Sequence, residues 1–308
     1  MKTYELAIIG GGPAGVAAAV YAARKKIDTV LITKNFQGQS SVSDNIQNWI
    51  GEEGINGLEL AKKMEDHARA IAGDVVSIIE NEEVDKVQKI DEAFSIKTNN
   101  AEYLAKNVLI TTGSRRRKLE IPGAEKFEHK GLTYCATCDA PMFGGLEVVV
   151  IGGGNSAFEA ASQISAYASK VTILQRSAEF RADPVTVQKV LSNEKISAIA
   201  NVEFLEVVGE KFVSGIRIKN KTSSTEVLLP ASGIFVEIGH LPNTSPVEGL
   251  VTLDQQKSIV VDPRTQKTSL EGVWAAGDCT DGLYKQNNIA VGDAVKALED
   301  IYITLKTR

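Results

Sequence analysis

The period of the hydrophobic positions changes several times along this 308-residue chain, and the changes mark its elements. At residues 4–33, "YELAIIGGGPAGVAAAVYAARKKIDTVLIT", a short apolar run gives way to glycines, then to an alanine-rich stretch, then to a second apolar run. A parallel strand covered on both faces needs a continuous apolar run, so the segment reads as strand, tight turn, helix, strand. Residues 147–174, "EVVVIGGGNSAFEAASQISAYASKVTIL", repeat the same grammar about 140 residues later, which predicts two domains of one architecture.

Between the two units, residues 57–72 have the apolar spacing of an amphipathic helix, and residues 74–111 alternate as strands do, ending in "NVLITTGS". Beyond the second unit, "NVEFLEVVGEKFVSGIRIKN" and "TEVLLPASGIFVEIG" read as hairpins, with turns near Gly209 and residues 220–224. "GVWAAGDCTDG" reads as a strand followed by a tight turn, and residues 289–306 as a closing helix. Gly, Pro and Asn interrupt the pattern near residues 114–122 and 240–246, the predicted crossings between domains.

Composition narrows the class: 43% hydrophobic and 24% charged residues with 26 glycines suit one large or two ordinary globular domains. A formal charge of −5 argues against a nucleic-acid grip, which relies on clustered Lys and Arg to displace counterions from phosphates. The one basic cluster, Arg115, Arg116, Arg117 and Lys118, reads as a solvated loop. No run of about 18 apolar residues predicts a membrane span, and the N-terminus enters a strand pattern at once, so a cytoplasmic protein is expected.

Chemistry enters with the glycines. In "GGGPAG" the GxGxxG spacing falls on Gly10, Gly12 and Gly15, with Pro13 and Ala14 in the same turn. A side chain at the first two would block the turn and the approach of a pyrophosphate to the backbone; the third lets helix and sheet pack closely. The pyrophosphate then meets the positive end of the helix. An acid some 20 residues on would hold a ribose, but the second strand ends in Thr33, Lys34 and Asn35, leaving backbone or the Lys34 side chain for that task. The second turn carries Gly152, Gly154, Asn155, Ser156 and Ala157, a GxGxxA variant. Its following strand runs into "LQRSAEFR", where Arg176 and Arg181 either accept the 2′-phosphate of NADPH or are two exposed loop arginines.

Two of the three cysteines stand in "YCATCDAP" as Cys135 and Cys138. In a reducing cytosol this spacing is catalytic or metal-binding rather than a structural framework. A zinc site would have to recruit Cys279 and some of His67, His129 and His240, none of them in a second ligand motif, so no metal is expected. A redox dithiol fits better, because one of two close thiols gains thiolate character near neutral pH. Asp139 serves either as its general acid and base or as a helix cap, and the two roles are compatible. Cys279, in "AGDC", reads as a buried bystander. Two dinucleotide sites and a dithiol imply electrons passing from a nicotinamide through a flavin to sulfur.

These residues resemble low-molecular-weight thioredoxin reductases and the related reductase subunit of alkyl hydroperoxide reductases. "GGGPAG", "TTGS", "YCATCDAP", "GGGNSAFEAA", "FVEIGHLPNT", "GVWAAGDC" and "YKQNNIAVGDA" occur in the family's order over essentially the whole chain. The resemblance implies an α/β fold of two Rossmann-like dinucleotide-binding domains, of three-layer type. An FAD domain at residues 1–114 and 245–308 would receive an NAD(P)H domain at residues 115–244, which carries the CxxC. It implies that Gly10, Gly12, Pro13, Ala14 and Gly15 hold the FAD pyrophosphate and that Gln39 and Asn48 line the flavin. Gly277 and Asp278 would hold the ribitol and phosphate, although Asp278 also suits a turn cap. Gln286 and Ala290 would contact the ring system, with Thr112, Gly113, Lys285 and Asn287 completing the FAD set. Gly152, Gly154, Asn155, Ser156, Ala157, Arg176 and Arg181 would bind NADPH. Cys138 would face the flavin, Cys135 would attack the partner, and the NADPH domain would rotate between two poses.

The chain departs from that pattern in three places. The family's HRRxxxR reads "QRSAEFR", with Gln175 and Ser177 replacing His and Arg, so NADH can compete with NADPH. "GGQ" is "QGQ", and "AVGDA" puts Asp293 where glycine is usual near a helix start. The expected activity is reduction of a thioredoxin-like protein disulfide by NADPH through FAD, in a homodimer. Rival readings are electron delivery to a peroxiredoxin system, a ferredoxin-dependent reductase, and a flavin-binding redox sensor that does not turn over.

Overall fold

The structure, a computed structural model, describes residues 2–43 and 46–307. The chain divides into two compact units, Met1–Arg115 with Leu241–Arg308, and Arg116–His240.

The first unit is built on a seven-stranded sheet. In it β1 (Thr3–Ile9), β2 (Thr29–Ile32), β3 (Val76–Ile79), β4 (Val84–Ile90), β5 (Ala93–Thr98) and β6 (Glu102–Ile110) take the order β3-β2-β1-β6-β5-β4. Strands β3, β2, β1 and β6 are parallel, whereas β5 and β4 return antiparallel. Besides β1 on one side, the nine residues of β6 serve two partners in turn on the other. Its first half pairs antiparallel with β5, and Val108–Ile110 pair in parallel with the last strand of the chain, Val273–Ala275.

Alternation along β1 supplies both cores of this unit. Leu6 and Ile8 pack under α1 (Pro13–Arg24), α2 (Gly57–Ala72) and the long C-terminal helix Asn287–Thr307, with Trp274 and Leu298. Ala7 and Ile9 face the other way, onto Val108, Phe94, Val247 and Cys279. Asn56 caps α2 by accepting the Leu58 N–H at 2.9 Å.

The chain crosses between the units along β7 (Ser114–Arg116) on the way out and His240–Pro242 on the way back. The basic cluster read as a solvated loop therefore begins in a strand, and Lys118 pairs with Glu128 at 2.9 Å.

In the second unit a five-stranded parallel sheet contains β8 (Leu132–Thr133), β9 (Glu147–Ile151), β10 (Lys170–Leu174), β11 (Ile196–Ile199) and β15 (Gly233–Val236). Their order is β11-β10-β9-β15-β8. A three-stranded antiparallel sheet, β12 (Val202–Gly209), β13 (Val213–Asn220) and β14 (Glu226–Pro230), packs on it through Val207, Ile216, Val149 and Ile234. On the other face α4 (Asn155–Ile164) and α5 (Pro184–Leu191) cover the sheet, with Phe158 and Phe235 in their core.

The hairpin expected over "TEVLLPASGIFVEIG" does not form. Strand β14 is largely exposed and stays with β13, whereas the wholly buried β15 joins the parallel sheet beside β9. The break is at Ala231–Ser232, where Ser232 N–H turns to the Glu147 carbonyl at 2.8 Å, and four consecutive buried residues then require cover on both faces. The remaining short elements are α3 (Ala136–Asp139), β16 (His240–Pro242) and β17 (Val273–Ala275), and the C-terminal helix is α6 (Asn287–Thr307).

Candidate active site

The first unit's cleft lies where a doubly wound sheet reverses its winding. From β1 the chain winds through β2 to β3 on one side; β6 flanks β1 on the other. Gly10, with φ +113°, turns the chain out of β1 into α1, and Gly12 is the N-cap with Pro13 following, so the fixed proline φ starts the helix without an orphan N–H. A Cβ on Gly15 would lie 1.8 Å from the Gly10 carbonyl, so only glycine allows the helix this close to the strand. At Gly12 an added Cβ meets nothing within 4 Å, because the turn faces open space.

That space is a cleft of about 640 Å³. Gly10, Gly12, Pro13, Ala14, Gln39, Thr112, Gly113, Gly277, Asp278, Asn287 and Ala290 line it. Gly15 lies beneath the turn, and Asn48, Lys285 and Gln286 are off the cleft wall. Asn48 Nδ2 donates to Gln286 Oε1 at 3.1 Å, and Lys285 Nζ donates to the Thr280 carbonyl at 2.7 Å. Gln39 Nε2 donates to Ser114 Oγ at 3.0 Å and to Asp278 Oδ2 at 3.2 Å, which fixes the Asp278 carboxylate at the rim. Thr112 and Asn243 exchange hydrogen bonds of 2.6 and 3.0 Å, drawing residues 241–243 into this unit. The size and the open glycine turn suit a dinucleotide.

Two acids near the first turn escaped the sequence reading. Glu82 and Glu83, from the loop after β3, line the cleft beside the end of β2, held there by Glu82 N–H to the Thr33 carbonyl. Glu82 is engaged by the hydroxyls of Thr98 and Tyr103, while Glu83 pairs with Lys34 at 3.2 Å. The local spacing from the glycine motif could not find them, because they belong to another segment. Asp293, expected near a positive helix end, sits in the second turn of α6; it accepts from Gln266 Nε2 at 3.3 Å and pairs with Lys296 at 2.8 Å.

In the second unit the winding reverses between β9 and β15. Gly152, φ +149°, leaves β9 so close to β15 that a Cβ would meet the Glu237 carbonyl at 2.2 Å. Gly154 is the N-cap of α4 and faces open space, and Asn155 and Ser156 are exposed at the first turn, with Ala157 buried beneath. The turn therefore fits a second pyrophosphate. Gln175, which replaces the expected histidine, is buried, and its side chain fills the space where a Cβ of Gly153 would go. It is a packing residue. The loop folds back, with the N–H groups of Arg181 and Ala182 donating to the Gly153 carbonyl at 2.7 and 3.1 Å. Arg176 and Arg181 are both exposed there.

The third element of this unit is the cysteine pair. Cys135 and Cys138 form a disulfide with Cα atoms 5.4 Å apart, spanning the single turn of α3. The Cys138 N–H donates to Cys135 Sγ at 3.3 Å, a contact that favours negative charge on that sulfur. The Thr133 hydroxyl donates to the Asp139 carboxylate and accepts the Cys135 N–H at 3.3 Å, so one side chain orients both the acid and the first cysteine.

Glu237, the residue after β15, was not singled out by the sequence. Its largely buried carboxyl accepts the Ala136 N–H and lies 3.8 Å from Arg116. Burial pushes its pKa up to about 7, with Glu159 adding to the rise, while Arg116 and the Ala136 N–H oppose it. Cys279 is wholly buried, and burial raises its thiol pKa. Among the described residues no group of three or more His, Cys, Asp or Glu is placed to hold a metal ion.

A family model for pyridine nucleotide-disulphide oxidoreductases matches residues 4–294. The chain belongs to that family. Its members use a flavin and a pyridine nucleotide, and both glycine turns described above are of the kind this chemistry needs. Over 297 residues it is 35% identical to the NADH dehydrogenase of Bacillus subtilis and 37% identical to an alkyl hydroperoxide reductase subunit of Pseudomonas putida. In each case the match takes in 96% of this chain and 57% of the relative, so the chain spans little more than half the length of either. Among solved structures, thioredoxin reductase from Giardia duodenalis superposes with a TM-score of 0.92 at 33% identity, over 99% of this chain and all of that one. Among the described residues no helix is long and apolar enough to cross a membrane.

Proposed function

We propose that this oxidoreductase takes electrons from NADPH and uses them, through FAD, to reduce the disulfide of a thioredoxin-like protein, acting as a cytoplasmic homodimer. FAD takes the first unit's cleft, with its pyrophosphate on Gly10, Gly12, Pro13, Ala14 and the N-terminus of α1. Gln39, Thr112, Gly113, Gly277, Asp278, Asn287 and Ala290 hold the remainder, and Asn48 and Gln286 brace one another behind them. NADPH takes Gly152, Gly154, Asn155, Ser156 and Ala157, with Arg176 and Arg181 for its 2′-phosphate. Held by these residues, FAD would supply the exchange between nicotinamide hydride chemistry and two-electron dithiol chemistry.

The observation that carries this reading is the Cys135–Cys138 disulfide with its polar setting. Two electrons and two protons convert it to a dithiol. The Cys138 N–H favours thiolate at Cys135, which attacks a disulfide sulfur of the partner and forms a mixed disulfide. Cys138 then attacks Cys135 Sγ, the intramolecular disulfide re-forms, and the partner leaves with both its thiols reduced. Asp139, held by Thr133, takes the proton from Cys138 and passes it to the departing partner thiolate.

Cys138→Ser tests the reading. Under anaerobic conditions NADPH should still bleach the flavin of this variant, while reduction of thioredoxin disulfide is lost; undiminished turnover refutes the dithiol role. The resemblance to an alkyl hydroperoxide reductase component favours one second reading, delivery of electrons to a peroxiredoxin system. Parallel assays with a thioredoxin and with a peroxiredoxin-linked carrier separate the two.

A further inference from the structure

The loop after β10 gathers cations that form no ion pair, although it also carries Glu179. The ion pairs among the described residues of the second unit engage Arg116, Lys118, Lys170 and Arg217; Arg176 and Arg181 take part in none. A third unpaired cation joins them from a distant segment. Lys221 opens the turn between β13 and β14, and its Nζ donates to the Arg176 carbonyl at 2.7 Å.

This placement is built into the backbone. The Lys221 N–H donates to the Asn201 carbonyl at 2.9 Å, and the Asn201 N–H donates to the Ser177 carbonyl at 2.9 Å, so the hairpin turn is strapped to the loop at Ser177. Asn220 Oδ1 accepts the N–H groups of Thr222 and Ser223 at 2.9 and 3.0 Å, which fixes the turn from within. An ammonium has three donors, and the Arg176 carbonyl uses one.

In a dinucleotide-binding unit the groups at the end of the second strand decide between a ribose 2′-hydroxyl and a 2′-phosphate: an acid favours the first, a cation the second. Here that strand is β10. Arg181 is drawn to the same end by its N–H to the Gly153 carbonyl in the glycine turn. The geometry points to Lys221 as a specificity-determining residue, completing with Arg176 and Arg181 a three-cation receptor for the 2′-phosphate of NADPH. This inference rests on the assignment of the second unit to the pyridine nucleotide.

Binding of two adenine nucleotides to the flavin-loaded protein tests it without turnover. Adenosine 2′,5′-bisphosphate carries the discriminating phosphate, and 5′-AMP lacks it. The parent protein should prefer the bisphosphate in calorimetric titrations. Lys221→Met should weaken the bisphosphate about tenfold, the scale of one charge-assisted contact to phosphate, with AMP unchanged. Lys221→Arg should recover most of the loss, and the preference of the parent should shrink as salt rises. Equal losses for both nucleotides, or no loss for the bisphosphate, overturn the role of Lys221. Arg176→Ala separates the levels of failure. If it abolishes the preference while Lys221→Met does not, Lys221 alone has been misassigned. If neither change alters the preference, or the parent shows none, the 2′-phosphate site falls, and with it the choice of NADPH.

Discussion

Replacing Glu237 with glutamine should change the pH dependence of stability in a way the structure fixes in sign and size. Its carboxyl is raised from 4.5 to about 7 in the folded chain, mainly by burial. Below about pH 4.5 folded and unfolded chains both hold the proton. Between 4.5 and 7 the folded chain keeps a proton that the unfolded chain has lost, so stability falls as pH rises through this window. Above 7 both are ionised and the loss is complete. At 1.36 kcal/mol per unit the full loss is about 3 kcal/mol, or roughly three hundredfold in the folding equilibrium. Glutamine keeps an acceptor for the Ala136 N–H but has nothing to titrate. The gap between the variant and its parent should therefore widen by about 3 kcal/mol in the variant's favour from pH 4.5 to 8. Hydrogen exchange at β9 and β15 amides reads the stability of the second unit directly. Parallel pH profiles for the two proteins, or a variant that loses ground as pH rises, would refute the assignment of this proton to Glu237.

Two further substitutions probe the sites themselves. Gly15→Ala sets a methyl 1.8 Å from the Gly10 carbonyl, so the variant should lose about 1–3 kcal/mol in denaturant titrations and retain less flavin on purification; normal stability and full flavin content would contradict the close packing of turn and helix. Asp139→Asn removes the acid that Thr133 orients, and should slow reduction of the protein disulfide by about 10²-fold with flavin bleaching by NADPH unchanged; equal slowing of both half-reactions would place Asp139 elsewhere in the scheme.

What the sequence reveals about the fold follows from how local each constraint is. The glycine turns are legible because sterics act within a few residues: Gly10 must turn at positive φ, and Gly15 must admit a carbonyl. The amphipathic stretch at residues 57–72 is the helix α2, bounded by its Asn56 cap and Gly73. Strand β15 escapes because its partner lies more than 80 residues earlier in the chain, and an apolar run after a strand looks the same whether it folds back or enters a buried sheet. Glu237 escapes for a related reason. Nothing in "FVEIG" distinguishes a solvated glutamate from one that buries its carboxyl against Ala136 and Arg116.

The two glycine turns show where local reading stops. In both units the residue just after the second strand packs on the middle glycine: Thr33 Oγ1 lies 2.6 Å from a Cβ built on Gly11, and Gln175 Cδ 2.4 Å from one on Gly153. That position is structural in each, which is why a glutamine can stand where a phosphate-binding histidine was expected. The next residue, Lys34 or Arg176, faces outward, and in each unit a distant segment brings it a charged neighbour, Glu83 in the first and Lys221 in the second. A carboxylate at the first turn suits ribose hydroxyls, and an ammonium at the second suits a phosphate. On the assignment proposed above, one scaffold used twice would prefer different nucleotides through side chains delivered by tertiary folding, at positions a motif does not span.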